Sequence, residues 1–253
     1  MQADSVSPKL VAKTVLDAVW YLVNSHEFTL DMGGFKADPK KVVRILSGNL
    51  FEYFFVNVLR AAKLEVKHDK DDPFVEDDGL DIVVGGVMNV HAKASTHPKM
   101  LGQVRNGKVL VAEMKSTGGY VMVGFVPRND VEDVNARFLS PYVEKYGFVK
   151  SKDGFVSKRE LFERSQALGI DLMSFKPKIR IDGFVPIVDY FKTAKFVKAG
   201  ETIPGTKFIQ NFEEGSFFYD AESCAKVLRN FKEAYAESKA SNENPPNAEV
   251  ATS

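Results

Sequence analysis

Val109-Leu110-Val111-Ala112-Glu113-Met114-Lys115 is the stretch on which the fold turns. Read as a strand, its side chains alternate. Val109, Val111, Glu113 and Lys115 share one face, and Leu110, Ala112 and Met114 share the other. Both faces begin apolar, which marks a central strand covered on each side. A buried strand has no passive use for a Glu and a Lys two residues apart on one face, because unpaired buried charge is costly. Either the strand surfaces at its end, or the charges face a site that uses them.

Outward from this stretch the pattern alternates between turns and short β-branched runs. Leu80–Val84, Val87–Ala92 and Tyr120–Val126 read as strands, separated by Gly85-Gly86, Asn106-Gly107 and Gly118-Gly119. Upstream lie two helices. Ser7-Pro8 caps the first, with Val11, Val15, Ala18, Val19 and Leu22 at helical spacing. Asp38-Pro39 opens the second, whose Val42, Leu46, Leu50, Phe51, Phe54, Phe55 and Leu59 form an apolar stripe ending near Ala62. Downstream, Ser157 and Glu160 have capping-box spacing for a helix stopping at Gly169. Ile179–Ile181, Phe184–Phe191 and Phe196-Val197 read as strands. Asp220 opens a last helix with Val227, Leu228, Phe231 and Tyr235 on one face, and Cys224 reads as core. Beyond about Lys239 the chain lacks apolar anchors and is expected to be disordered.

The 253 residues carry 34 Lys and Arg against 34 Asp and Glu, so a chain whose whole surface binds polyanions is excluded. The charges are nevertheless segregated. Asp69, Asp71, Asp72, Glu76, Asp77, Asp78 and Asp81 surround a single Lys70, and Lys176, Lys178, Arg180, Lys192, Lys195 and Lys198 form a basic run. The lone cysteine excludes an intramolecular disulfide framework. His26, His68, His91 and His97 lack the spacing of a structural zinc site. No uninterrupted apolar run approaches the ~18 residues of a membrane span, and no secretory signal opens the chain. A cytoplasmic protein with no membrane partner is the expectation.

A metal-phosphate site is one that would use Glu113 and Lys115. Mg²⁺ takes hard oxygen ligands and keeps several waters, so one or two carboxylates suffice. A lysine beside them positions or helps deprotonate an attacking water, or offsets charge on the phosphorus. Asp81, at a strand entrance, is the second carboxylate, with Asp78 as its substitute. A two-residue turn at Gly85-Gly86 would set Asp81 opposite Val90, leaving His91 and Lys93 facing away from it. On that register the rival triad His91-Ala92-Lys93 is less attractive than Glu113 with Lys115.

Gly48-x-x-x-Glu52 on a helix, Gly79-Leu80-Asp81 at a strand start, and Val111-Ala112-Glu113-Met114-Lys115 before a Gly-rich turn resemble the PD-(D/E)xK nuclease superfamily. The resemblance spans about residues 45–126. It implies the fold of restriction endonucleases and junction resolvases, in which a helix-borne Glu, a strand-borne Asp and a Glu-x-Lys pair form a divalent-metal phosphodiesterase site. Carried over, Asp81 and Glu113 ligate Mg²⁺ (with Mn²⁺ as substitute), Lys115 acts on the water or phosphate, and Glu52 is auxiliary.

The expectation is therefore an α/β fold, a mixed β-sheet flanked by helices, with a restriction-endonuclease-like core and a C-terminal extension. Residues 1–40 form an N-terminal helical segment, 41–130 the core, 131–238 an α/β extension packed on it, and 239–253 a disordered tail. The expected activity is hydrolysis of DNA phosphodiester bonds, as in a type II restriction enzyme. A homodimer would suit cutting of both strands, and Lys176, Lys178 and Arg180 would contact DNA. A structure-specific repair or junction nuclease, an inactive nucleic-acid-binding protein of the same fold, and an interaction protein unrelated to nucleic acid are the alternatives.

Overall fold

The computed structural model describes residues 1–25, 39–73, 81–97, 101–149, 152–203, 207, 209–210, 212–219 and 226–243. Helix α1 (Pro8–Asn24) starts where Ser7 accepts a hydrogen bond from the Leu10 N–H and Pro8 fills the first turn. Helix α2 (Pro39–Ala61) crosses it and buries Leu46, Leu50, Phe51, Phe54 and Phe55. Among the described residues α2 alone is long and apolar enough to cross a membrane, but 78% of that window is buried inside the protein. It is the central core helix.

A mixed five-stranded sheet lies against α2, on which α1 packs in turn, in the order β1 (Val66–His68), β2 (Ile82–Val84), β3 (Met88–Ser95), β5 (Tyr120–Phe125), β6 (Arg180–Pro186). All neighbours are antiparallel except β3 and β5, which run parallel. A parallel pair needs a crossover. It is made by β4 (Leu101–Arg105) and helix α3 (Lys108–Thr117).

Helix α3 overturns the strand expected at Val109–Lys115. Leu110 and Met114, four apart, pack into a cluster with Val121, Val123, Val185 and Tyr190, while Ala112 and Lys115 face solvent. Ala112, Glu113, Met114 and Lys115 are all strong helix formers, and Gly107 and Gly118 bracket the helix. The central strand buried on both faces is β5 instead. Its Tyr120 and Met122 join the main core, and Val121 and Val123 join the second cluster.

The chain continues through α4 (Arg128–Val134), a π-helical turn, α5 (Ser140–Tyr146) and α6 (Lys158–Ala167). Ser157 caps α6 by accepting the Glu160 N–H. The expected strand at Phe184–Phe191 divides. Residues to Pro186 finish β6, and helix α7 (Ile187–Thr193) follows. A small second sheet orders β4, β8 (Ser216–Tyr219) and β7 (Lys195–Val197). The last helix, α8 (Phe231–Glu243), starts later than Asp220 and runs past Lys239, so Val227 and Leu228 precede it. Asp220, Cys224 and residues 244–253 lie outside the described residues, as do His26, Glu76, Asp77, Asp78, Gly79 and Leu80.

The stretch beyond residue 131 is more than an appendage, because it supplies β6 to the main sheet, and the main core runs from Ala3 to Ala234. The outer side of β6 is occupied along its length. Backbone bonds join Ala3 to Ile179 and Met1 to Ile181, and Phe184 exchanges two with Arg229. Where α1, α2 and α6 meet, the buried Asp17 holds Lys13, Lys158 and Asn57. Burial acts to raise its carboxyl, and the two ammonium groups together carry it below the ordinary value.

Candidate functional site

The hairpin β2–β3 sets the site. Its turn has three residues, with Gly85 and Gly86 both at positive φ, and it pairs Val84 with Met88 and Ile82 with Val90. One step earlier along this register Asp81 falls opposite His91, not Val90. A slip of one residue moves every side chain to the other face, so the expectation that His91 and Lys93 face away from Asp81 is reversed. The Asp81 carboxylate accepts the Ala92 N–H at 2.7 Å and the Lys93 ammonium at 3.3 Å. Its backbone carbonyl accepts the Asp69 N–H. Asp81 is thus tied to β1 on one side and β3 on the other.

Glu52 sits on α2 beside this point. It is 6% exposed, far from the solvated flank position that its place in the apolar stripe allows. Gly48, one turn earlier, lies beside the Glu52 carboxylate, and a Cβ there would stand 3.9 Å from Oε1, in ordinary contact. Lys70 reaches from just beyond β1 to donate to Glu52 Oε2 at 2.5 Å and to Asn49 Oδ1 at 3.1 Å. His68 brings Nε2 to 3.5 Å from Glu52 Oε2 and 3.5 Å from Asp69 Oδ1. Tyr53 fastens the segment. Its hydroxyl donates to the Lys70 carbonyl at 2.6 Å, and its ring stands edge-on to the His68 imidazole. Burial acts to raise the Glu52 carboxyl, but the Lys70 ammonium and His68 together outweigh it and bring the pKa to about 2. Burial acts to lower Lys70, and Glu52, Asp69 and Asp81 together raise it well above the usual lysine range.

The other expected residues are elsewhere. Glu113 and Lys115 lie on α3, and the Lys115 ammonium rests over the Phe191 ring at 5.1 Å. The structure therefore brings Asp81 to Lys93 and not to a strand-borne Glu113 and Lys115. His91 is 3% exposed and its Nε2 lies 3.0 Å from Thr117 Oγ1. Lys176 and Lys178 are exposed before β6, whereas Arg180 covers Phe125 and pairs with Asp182 at 2.7 Å.

Beyond Lys93, a cleft of about 250 Å³ opens where β3 ends. It is lined by Arg44, Ser47, Ser95, Thr96, Gln103 and Arg128. Arg128 stands apart from every basic run, and Arg44 closes a short one, Lys40-Lys41-Val42-Val43-Arg44, that the longer charge segregations overshadow. Lys70 carried a faint signal, being the one base among seven acids. Asn49 and Glu52, three apart on an apolar helix, carried another.

A divalent cation is what the resemblance implies, and the donors here can be compared with that need. Asp81 offers one hard oxygen, while His91 stands where the pattern has a carboxylate. Mg²⁺ is commonly held by one carboxylate, waters and a substrate phosphate together, so the residues present fit an ion that arrives with a phosphodiester. Comparison with family models, known proteins and solved structures finds no match to this chain.

Proposed function

We propose that this protein is a metal-dependent endodeoxyribonuclease of the PD-(D/E)xK type, with its site at Asp81 and Lys93 rather than at Glu113 and Lys115. The supporting observation is the Asp81–Lys93 contact across adjacent strands, beside the helix-borne Glu52. Those are the elements the resemblance calls for, with His91-Ala92-Lys93 in place of a Glu-x-Lys pair. Bound Mg²⁺ would polarise a phosphoryl oxygen and lower the pKa of a water. Lys93 holds a proton and a positive charge beside Asp81, where negative charge grows on the phosphorus during attack. The Asp81 carboxylate, fixed by the Ala92 N–H, is aimed without a conformational search. Glu52 keeps Lys70 in place at the rear of the site. Two copies acting together would cut both strands of a duplex.

Plasmid, linear and branched DNA incubated with Mg²⁺, Mn²⁺ or EDTA provide the test. Metal-dependent cutting that Asp81→Asn removes is the expected result, and the fragments separate a sequence-specific from a structure-specific enzyme. No cutting in either metal would overturn the reading. A second reading, a fold that binds nucleic acid without cleaving it, is favoured by His91 at the carboxylate position and by the Lys70 ammonium already seated on Glu52.

Both readings use the cleft at the end of β3. Arg44 and Arg128 are placed to take backbone phosphates next to Lys93. Replacing both with Ala is expected to weaken DNA binding uniformly across sequences. The slope of log affinity against log salt should fall by about 2, one counterion per arginine. Filter binding across a salt series measures it.

A further inference from the structure

We infer that Glu52, His68 and Asp69 form a second cation site, selective for a borderline divalent ion of the zinc or cobalt type, and that Lys70 is the internal counter-ion which such a metal displaces. This goes beyond the proposed nuclease activity and stands whether or not the chain cuts DNA. The three ligand atoms lie within 4.8 Å of one another. His68 Nε2 is 3.5 Å from each of two carboxylate oxygens, too long for a good hydrogen bond to either. Around a tetrahedral ion with bonds of ~2.0–2.2 Å, neighbouring ligand atoms stand about 3.3–3.6 Å apart. Both His68 spacings fall in that range, and the two carboxylate oxygens lie within 4.8 Å of each other, so the ligand atoms already stand near the positions a shared ion needs.

The imidazole itself points the same way. Its side chain is fully buried, and Nδ1 has no hydrogen-bond partner, with Asp71 Oδ1 at 4.0 Å. A neutral ring carries one proton. With the proton on Nε2, a bare Nδ1 lone pair faces Asp71. With the proton on Nδ1, a bare Nε2 lone pair faces two carboxylates. A cation at Nε2 resolves the second arrangement, leaving Nδ1–H directed toward Asp71 as an outer partner. Asn49, 1% exposed, receives Lys70 on Oδ1, an oxygen that is released when the ammonium leaves. Lys70 is the present source of positive charge. Its side chain is the most exposed of the four in the cluster, at 18%. An imidazole with two carboxylates favours zinc, cobalt or nickel over magnesium.

Cobalt(II) titrated into the full-length protein without DNA tests this directly. One equivalent is expected to give the visible absorption of a four-coordinate ion, to be displaced by Zn²⁺, and to resist a large excess of Mg²⁺. His68→Gln should abolish the bands. Lys70→Met, which removes the competitor, should tighten binding by about tenfold or more. Because Lys70→Met strands the Glu52 carboxylate, thermal melts of wild type and His68→Gln with and without Zn²⁺ supply an independent reading. Zn²⁺ should raise the midpoint of wild type only. Absence of bands in wild type together with no Zn²⁺ effect on its midpoint would overturn the inference, as would cobalt bands that persist in His68→Gln. Since no arm contains DNA, these outcomes are separate from failure of the nuclease reading.

Discussion

Lys93→Ala is expected to lower DNA cleavage by about 10²–10⁴-fold, the range for losing a group that serves the proton or the charge of the transition state. Lys115→Ala and Glu113→Ala should leave it near wild type. The contrast follows from placement. Lys93 lies 3.3 Å from Asp81, whereas Lys115 covers Phe191 on a helix that packs on the second cluster. Lys93→Arg should restore charge without restoring rate, because a planar fork does not replace a compact ammonium 3.3 Å from a fixed carboxylate. Single-turnover cleavage of a labelled duplex, with folding checked by circular dichroism, measures all four variants. Equal loss in Lys93→Ala and Lys115→Ala would remove the argument for the Asp81–Lys93 site.

Glu52→Ala is expected to destabilise the fold by ~3 kcal/mol, because it leaves the Lys70 ammonium in a largely buried place without its partner. The double variant Glu52→Leu with Lys70→Met should recover most of that loss, since replacing both ions by apolar groups removes the unpaired charge and its desolvation cost. Urea denaturation of the three proteins at neutral pH decides it. The pH dependence has a definite sign. The Glu52 pKa is depressed in the folded state, from an ordinary 4.5 to about 2. Its contribution is therefore full above 4.5 and is lost as pH falls toward 2. Between these limits wild type should lose stability faster than the double variant. Parallel curves would mean that the pair does not contribute in this way.

The two N-terminal helices were legible because their signals are local. Ser7-Pro8 and a long apolar stripe need no distant partner to be read. The α/β class and the sheet of mixed direction flanked by helices were legible for a similar reason, since turn glycines punctuate the chain between β2, β3 and β5. Val109–Lys115 was not, because a Val-Leu-Val run satisfies either period at that length, and the requirement for a crossover between β3 and β5 is tertiary. The site depended on a smaller difference. Whether the turn after Val84 holds two residues or three decides which side of the sheet Lys93 faces, and glycines at 85 and 86 are compatible with both. Asp81 and Glu52 were legible as single residues. Their partners Lys93, Lys70 and His68 become recognisable only when β1, α2 and β3 are brought side by side.

The pairing of Met1–Ala3 and Arg229 along β6 has a bearing on how this protein behaves at high concentration. An open strand at a sheet margin offers unpaired amides and carbonyls to any neighbouring chain, and so seeds self-association. Here one margin is closed by Met1, Ala3 and Arg229, and the other, β1, is only three residues long. Colloidal behaviour is thus coupled to a handful of residues remote from the chemistry. Removing Met1–Ala3 therefore puts solubility at risk before it touches the site.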